Sequence, residues 1–72
     1  MAKGDHIDPI KVFYAAEWMC YICHDKIDPQ VRWPDMLCAT IEHIVPLSAG
    51  GEHRYENVTA SHRKCNEARS RS

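Results

Sequence analysis

Two short motifs separated by 38 residues have the spacing of metal ligands. Cys20 and Cys23 form C-x-x-C, and His62 and Cys65 form H-x-x-C. Two intervening residues let both side chains of a pair converge on one ion across a tight turn or the first turn of a helix. Together the pairs supply four nitrogen and sulfur ligands, as a closed tetrahedral zinc site requires. The combination predicts a structural zinc that closes residues 20–65 into one loop, with 38 residues between the pairs.

Other interpretations of these residues remain open. The cysteines could be small buried apolar side chains or a redox pair. Cys38 could replace His62 as the fourth ligand, although no second ligand lies two residues away and a reduced cysteine within a strand is the competing interpretation. His24, next to Cys23, is a further candidate for the same position.

An adjacent acid and imidazole, Glu42 and His43, lie in an otherwise apolar stretch between the two motifs. A base that titrates near neutrality can activate water for hydrolysis, and histidine is the side chain with that property. A carboxylate suits a hard divalent ion that offsets charge on a phosphate. In isolation, the pair is better explained as a chance occurrence on a strand, with the histidine satisfied by a hydrogen bond.

Capping signals predict a helix in the first third of the chain. Asp8 is a favourable N-cap and Pro9 suits the first helical position, so a helix is expected over 8–19, after a loose N-terminus at 1–7. The i, i+3, i+4, i+8 spacing of large apolar residues predicts the face that packs on the core. Those residues are Ile10, Phe13, Tyr14 and Trp18.

The acid–imidazole pair lies in a segment that favours strand. Residues 36–45 are rich in β-formers, Gly50 and Gly51 open a loop, and 58–61 form a short second strand. Residues 62–70 favour a C-terminal helix, with cations late in the segment. Neighbouring residues of a strand point to opposite faces. A twist, a bulge or a bridging water is therefore expected where the acid and the imidazole act together.

Length and composition limit the class of protein. The 72 residues allow one domain, 1–72, whose core is thin enough to need a disulfide, a metal or a partner chain. Met1 is followed by a largely polar stretch, so we expect no signal peptide, and no apolar run approaches the ~20 residues of a membrane span. The expected compartment is the cytoplasm, where cysteines stay reduced and metal binding is favoured over disulfides.

Charge is unevenly distributed along the chain. Residues 1–52 carry four Lys and Arg against eight Asp and Glu, whereas residues 53–72 carry five against two. A basic terminal segment is the kind of local field that binds phosphate backbones, and it can also be a merely solvated face.

The stretch "EHIVPLSAGGEHRYENVTASHRKCNEARS", residues 42–70, resembles the HNH nuclease family. An acidic-His pair, I/V-x-P-L-S-x-G-G, an asparagine and a knuckle ending in C-N follow one another in the order of that family. The preceding C-x-x-C is typical of its zinc-stapled branch, so the resemblance covers residues 20–70. It implies a small α+β fold with a ββα-metal (His-Me finger) core, an N-terminal helix and a structural zinc site.

The resemblance also implies a role for each matching residue. His43 would be the general base, and Asn57 a loop residue whose contacts hold the hairpin loop and the His43 imidazole in place. Glu42 and Asn66 would hold the catalytic divalent ion, Mg²⁺ or Mn²⁺, with other divalent ions possible. His53 is an accessory candidate that would bind phosphate or metal, or would only make a loop hydrogen bond.

Two positions depart from the usual family pattern. Glu42 stands where an aspartate is usual, which lengthens the arm by one methylene and puts the preferred metal and the activity in question. His62 replaces the commoner cysteine, so the structural zinc would have three sulfur ligands and one nitrogen, which is still a normal set.

The implied function is a metal-dependent endonuclease that hydrolyses DNA phosphodiester bonds, from a bacterial or phage cytoplasm. A homodimer, if both strands are cut, and packaging or restriction partners are further expectations from the family. The rival interpretations are a zinc-stabilised nucleic-acid-binding module without catalysis and a redox protein using Cys20 and Cys23, which the lack of a βαβ pattern disfavours. Cations expected to contact the nucleic-acid backbone are Arg63, Lys64, Arg69 and Arg71.

Overall fold

The computed structural model describes residues 6–71, with side chains as far as Arg69. It confirms a small α+β fold, in which two helices pack on a two-stranded antiparallel sheet. Residues 1–5 of the predicted N-terminal segment 1–7 lie outside the described residues. The elements are helix α1 (Pro9–Ala15), strand β1 (Ala39–His43), strand β2 (Val58–His62) and helix α2 (Arg63–Arg71), with short 3-10 turns at Leu47–Ala49 and Tyr55–Asn57.

Helix α1 is shorter than the predicted 8–19. Its start agrees with the capping signal, because the Asp8 carboxylate accepts a hydrogen bond from the Ile10 amide at 3.0 Å. It ends early because Glu17 and Trp18 have left-handed backbone conformations, with φ of 56° and 52°. Their amides donate to carbonyls of the last turn at 2.9 and 3.0 Å. These two bonds form a Schellman ending, here without the glycine that usually signals one.

The predicted apolar face of α1 is partly wrong. Ile10 is 52% exposed and Tyr14 67% exposed, whereas Val12 and Phe13 are buried. A helix of seven residues has room for only a narrow contact with the sheet, and the contact falls on Val12 and Phe13. Trp18 reaches the core from beyond the helix, with its ring 5.3 Å from that of Phe13.

Strand β1 occupies only the middle of the predicted 36–45. Asp35 closes a turn before it, because its carboxylate accepts from the Leu37 amide at 2.8 Å and its carbonyl accepts from the Cys38 amide at 3.1 Å. Pairing with β2 then runs in step over five residue pairs between Ala39–His43 and Val58–His62. Within these two strands, the expected bulge is absent.

The two faces of the sheet differ in polarity. The apolar strand residues join a small core with α1 and the first knuckle (residues 20–23), while Thr40 and Glu42 contact α2. So thin a core is consistent with a domain that needs a metal. Over residues 6–71, neither helix has the length and apolar character to cross a membrane. The buried members of the core cluster are Val12, Phe13, Cys20, Ile27, Val58 and Ala60.

Candidate functional site

The predicted zinc ligands converge between the first knuckle and the start of α2. Their ligand atoms all lie within 4.8 Å of one another. Sulfur ligands of a tetrahedral zinc, with bonds of about 2.3 Å, lie about 3.8 Å apart, so a small contraction would complete a closed site. The group could therefore hold a metal such as zinc, and neither Cys38 nor His24 belongs to it. Its members are Cys20, Cys23, His62 and Cys65.

The His62 ring is oriented for metal binding through Nδ1. That nitrogen lies 3.4 Å from the Cys23 sulfur and 4.0 Å from the Cys65 sulfur. The opposite nitrogen, Nε2, lies 3.2 Å from the Lys26 carbonyl oxygen. Because a carbonyl only accepts, the ring proton belongs on Nε2, which leaves the Nδ1 lone pair directed at the sulfurs.

The thiols of the group differ in acidity. Burial alone would raise the pKa of Cys20, but amide donors, among them those of Cys23 and His62, outweigh burial and lower that pKa to about 6. Burial together with the neighbouring Cys20 and Cys23 sulfurs raises the pKa of Cys65 to about 12. The thiolate form is thus stabilised at Cys20 and opposed at Cys65. A bound cation would remove that opposition.

A second group of polar side chains lines an open cleft of about 570 Å³ where β1 ends beside α2. Glu42 and His43 reach it from the strand, and Asn66 and Arg69 from the helix. His43 is the last residue of β1, and it lines the cleft together with Glu42. Asn57 lies in the loop between the strands, beside a different pocket.

Arg69 forms an ion pair with Glu42 at the cleft. Its Nη1 lies 2.5 Å from Oε2 of the buried Glu42, whose other oxygen accepts from Ser61 at 3.4 Å. Arg69 also donates to the carbonyl oxygens of His43 and Ile44, at 3.4 and 3.1 Å. The sequence pattern placed Arg69 only among the backbone-binding cations. The structure adds that it neutralises Glu42 and fastens the end of β1 to α2.

The donor set of the cleft fits a hard divalent ion. The Asn66 amide is held by donation from Nδ2 to the Ile41 carbonyl at 2.9 Å and to the Thr40 hydroxyl at 3.4 Å. Asn66 and Glu42 line the same cleft and provide an amide and a carboxylate, whose oxygens suit Mg²⁺ or Mn²⁺. An ion held there would share the Glu42 carboxylate with Arg69.

His43 and His53 form an imidazole pair at the mouth of the loop. His43 Nε2 lies 3.0 Å from His53 Nδ1, and the ring centroids are 5.2 Å apart. Burial and then the neighbouring His53 imidazole lower the pKa of His43, with Glu42 acting in the opposite direction. The His43 ring is therefore held toward its neutral form, which is the form that can accept a proton.

Asn57 closes the loop between the strands. Its Oδ1 accepts from the Val45 amide at 2.8 Å, and its Nδ2 donates to the carbonyls of Val45 and Glu52 at 3.0 and 2.8 Å. These contacts fit the loop-holding part of the predicted role. The connection from Asn57 to His43 is indirect: Asn57 binds the carbonyl of Glu52, and the next residue, His53, contacts His43.

Replacing Gly51 with alanine is expected to lower the free energy of unfolding by about 1–3 kcal/mol, as overpacking does. A Cβ at Gly51 would lie 1.9 Å from the Val45 carbonyl oxygen and 2.9 Å from Asn57 Nδ2, so the loop must open. Thermal unfolding of the zinc-loaded variant measures the loss. Gly50→Asn is the control, because Gly50 has φ of 90°, which asparagine tolerates, and open space around its Cβ position. Equal stability of Gly51→Ala and wild type would contradict the prediction.

A family of known proteins matches most of the chain. The sequence model of the HNH endonuclease family matches residues 20–72. The chain belongs to the HNH endonuclease family. No curated protein and no solved structure matches it. The matched segment begins at Cys20, so it includes both knuckles and the cleft and leaves helix α1 outside.

The other predicted backbone-binding cations of this HNH chain have different surroundings. Arg63 lies over the Trp33 ring, 4.2 Å from its centroid, and pairs with Glu67 at 2.7 Å. Lys64 is exposed, while the Arg71 side chain lies outside the described part of the chain. Arg63 is thus held in place on α2, and Lys64 is accessible to a ligand.

Proposed function

We propose that this HNH chain is a metal-dependent endonuclease that hydrolyses the phosphodiester bonds of DNA. The observation that carries the proposal is the convergence of Glu42, His43 and Asn66 on one cleft beside Arg69. Family membership supports this reaction class, and the cleft contains the residue types that the reaction needs. The succession of β1, β2 and α2 around the site supports a ββα-metal core.

Each side chain of the cleft has a proposed task. His43 takes a proton from the attacking water, a step for which a positioned base contributes about 10²–10⁴-fold in rate. Glu42 and Asn66 would hold a divalent ion, which supplies positive charge to the phosphate and the departing O3′ oxygen. Arg69 holds the Glu42 carboxylate in place, and Asn57 maintains the loop between the strands.

The proposal also assigns a role to zinc and to the cations that would contact DNA. Zinc bound by Cys20, Cys23, His62 and Cys65 would hold the first knuckle against α2, and so keep Asn66 facing β1. The cations Arg63, Lys64, Arg69 and Arg71 would contact phosphates on either side of the scissile bond, which fixes position and carries no sequence information. We further propose that residues 1–72 fold as a single domain.

A second candidate, a zinc-stabilised nucleic-acid-binding module without catalysis, is favoured by one observation. The Glu42 carboxylate is already neutralised by Arg69, so its charge is satisfied without a divalent ion. A cytoplasmic location in a bacterium or phage-infected cell, a homodimer, and packaging or restriction partners stay predictions from the family resemblance.

The test is cleavage of supercoiled plasmid by zinc-loaded protein, with and without added Mg²⁺ or Mn²⁺. The expected result is nicking or linearisation that requires the added ion, since the zinc ligands are separate from the cleft. Slower migration of the plasmid in a gel, without cutting in the presence of any added divalent ion, would favour the binding module. Cutting that is indifferent to added ions would contradict the ion-binding roles of Glu42 and Asn66.

A further inference from the structure

The His53 imidazole contacts the imidazole of His43, the proposed general base, and this contact has a consequence for catalysis. The two nitrogens, His43 Nε2 and His53 Nδ1, are 3.0 Å apart. At that distance they share one hydrogen bond, so one nitrogen carries the bridging proton and the other offers a lone pair.

Only one of the two arrangements leaves His43 able to act as a base. If His53 donates, neutral His43 carries its own proton on Nδ1, and no lone pair remains to accept a proton from water. If His43 donates from Nε2, its Nδ1 lone pair stays available. We propose that His53 is a positioning residue that accepts the hydrogen bond from His43 Nε2 and so holds His43 in the tautomer that a general base requires. This inference rests on the proposed function.

The loop that carries His53 is well anchored. The Asn57 side-chain amide donates to the Glu52 carbonyl at 2.8 Å, and the Arg54 amide donates to the same oxygen at 3.0 Å. These two hydrogen bonds therefore hold Glu52 and Arg54, on either side of His53, in place. Asn57 acts on His43 through this anchored segment and through the His53 ring.

The same contact supports the charged product of the proton transfer. The water proton bonds to His43 Nδ1, the water oxygen keeps the O–H electron pair and attacks phosphorus, and O3′ departs with the P–O pair. The proton on His43 Nε2 does not move in this step. The hydrogen bond to His53 becomes charge-assisted and strengthens as His43 becomes an imidazolium.

Two substitutions at His53 separate positioning from packing. His53→Phe keeps an aromatic ring against His43 but removes the acceptor, whereas His53→Asn removes the ring and retains an acceptor oxygen near the place of Nδ1. For a positioning residue, we expect His53→Phe to lower kcat by about 10–100-fold, as loss of an orienting partner does. KM for plasmid should stay within about twofold, and His53→Asn should retain kcat within about threefold. Zinc content and melting temperature of both variants serve as the folding control.

The tautomer itself is measured by ¹⁵N NMR of the histidine side chains in zinc-loaded wild type without added Mg²⁺. The expected spectrum shows neutral His43 protonated on Nε2 and bare on Nδ1. A proton on Nδ1 would overturn the inference, as would equal activity of both variants and wild type, or activity kept by His53→Phe and lost by His53→Asn. If wild type cuts no plasmid, the proposed function fails separately, and the NMR result alone then decides whether His53 accepts the bond.

Discussion

Replacing His43 with alanine is expected to lower the rate of plasmid cleavage by about 10²–10⁴-fold, the range that a general base contributes. His43 is the one imidazole among the residues that line the described cleft, so the substitution removes the proposed base from it. The fold should survive, because Arg69 binds the backbone carbonyl of residue 43, which alanine retains. The measurement is the initial rate of plasmid nicking under saturating Mg²⁺, with KM for plasmid determined alongside.

The matched control for this variant is His6→Ala, which removes an exposed imidazole from the N-terminal side of α1. It should cut at the wild-type rate. Zinc content and melting temperature of His43→Ala should equal those of wild type, which would assign the loss to chemistry. Cleavage by folded His43→Ala within about threefold of wild type would remove the general-base assignment, since that role supplies far more.

Removal of zinc is expected to unfold the domain. Structural zinc contributes about 10–16 kcal/mol of apparent binding free energy in small zinc domains, which is comparable with the whole stability of a typical fold. Among the described residues, six buried side chains form the core cluster, and Cys20 is one of them. Thermal unfolding followed by circular dichroism, with a strong chelator and with the released zinc quantified, provides the measurement. A melting curve unchanged after proven zinc loss would contradict the structural role.

Two cysteine variants distinguish metal binding from simple burial. Cys20→Ser should lose zinc and fail to fold, because Cys20 lies in the ligand group and is fully buried. Cys38→Ala should keep one zinc per chain and lose only about 1 kcal/mol, the centre of the range for point variants, because Cys38 is buried outside the group. Loss of zinc from Cys38→Ala would instead restore Cys38 as a candidate ligand.

Local rules predicted the metal group and the strand pair well. Spacing of two between ligands constrains where side chains can meet, so Cys20, Cys23, His62 and Cys65 were identified from the sequence alone. The β-forming residues around Ile41 and Val58 likewise indicated where the two strands would form. The strands depend on the types of a few neighbouring residues, and the metal group depends on ligands that must share one ion.

Features that no local residue pattern signals were missed. The end of α1 depends on left-handed backbone at Glu17 and Trp18, for which neither residue type is a signal. The pairing of Arg69 with Glu42 joins residues 27 positions apart, and only the docking of α2 on β1 brings them together. Contact between His43 and His53 depends on the path of the loop, although a second histidine soon after Gly50-Gly51 was the one signal of it.

Helix α2 contributes to both sites within two turns. Cys65 belongs to the ligand group, Asn66 follows it directly, and Arg69 lies one turn further on beside the cleft. A larger enzyme can adjust its structural metal and its reaction centre separately, because different parts of the chain carry them. Here any substitution that rotates or shifts α2 to suit another metal also moves the residues that face the cleft. Substitutions in the ligand group and in the cleft therefore cannot be chosen independently. Changes at His62 or Cys65 should be selected together with changes at Asn66.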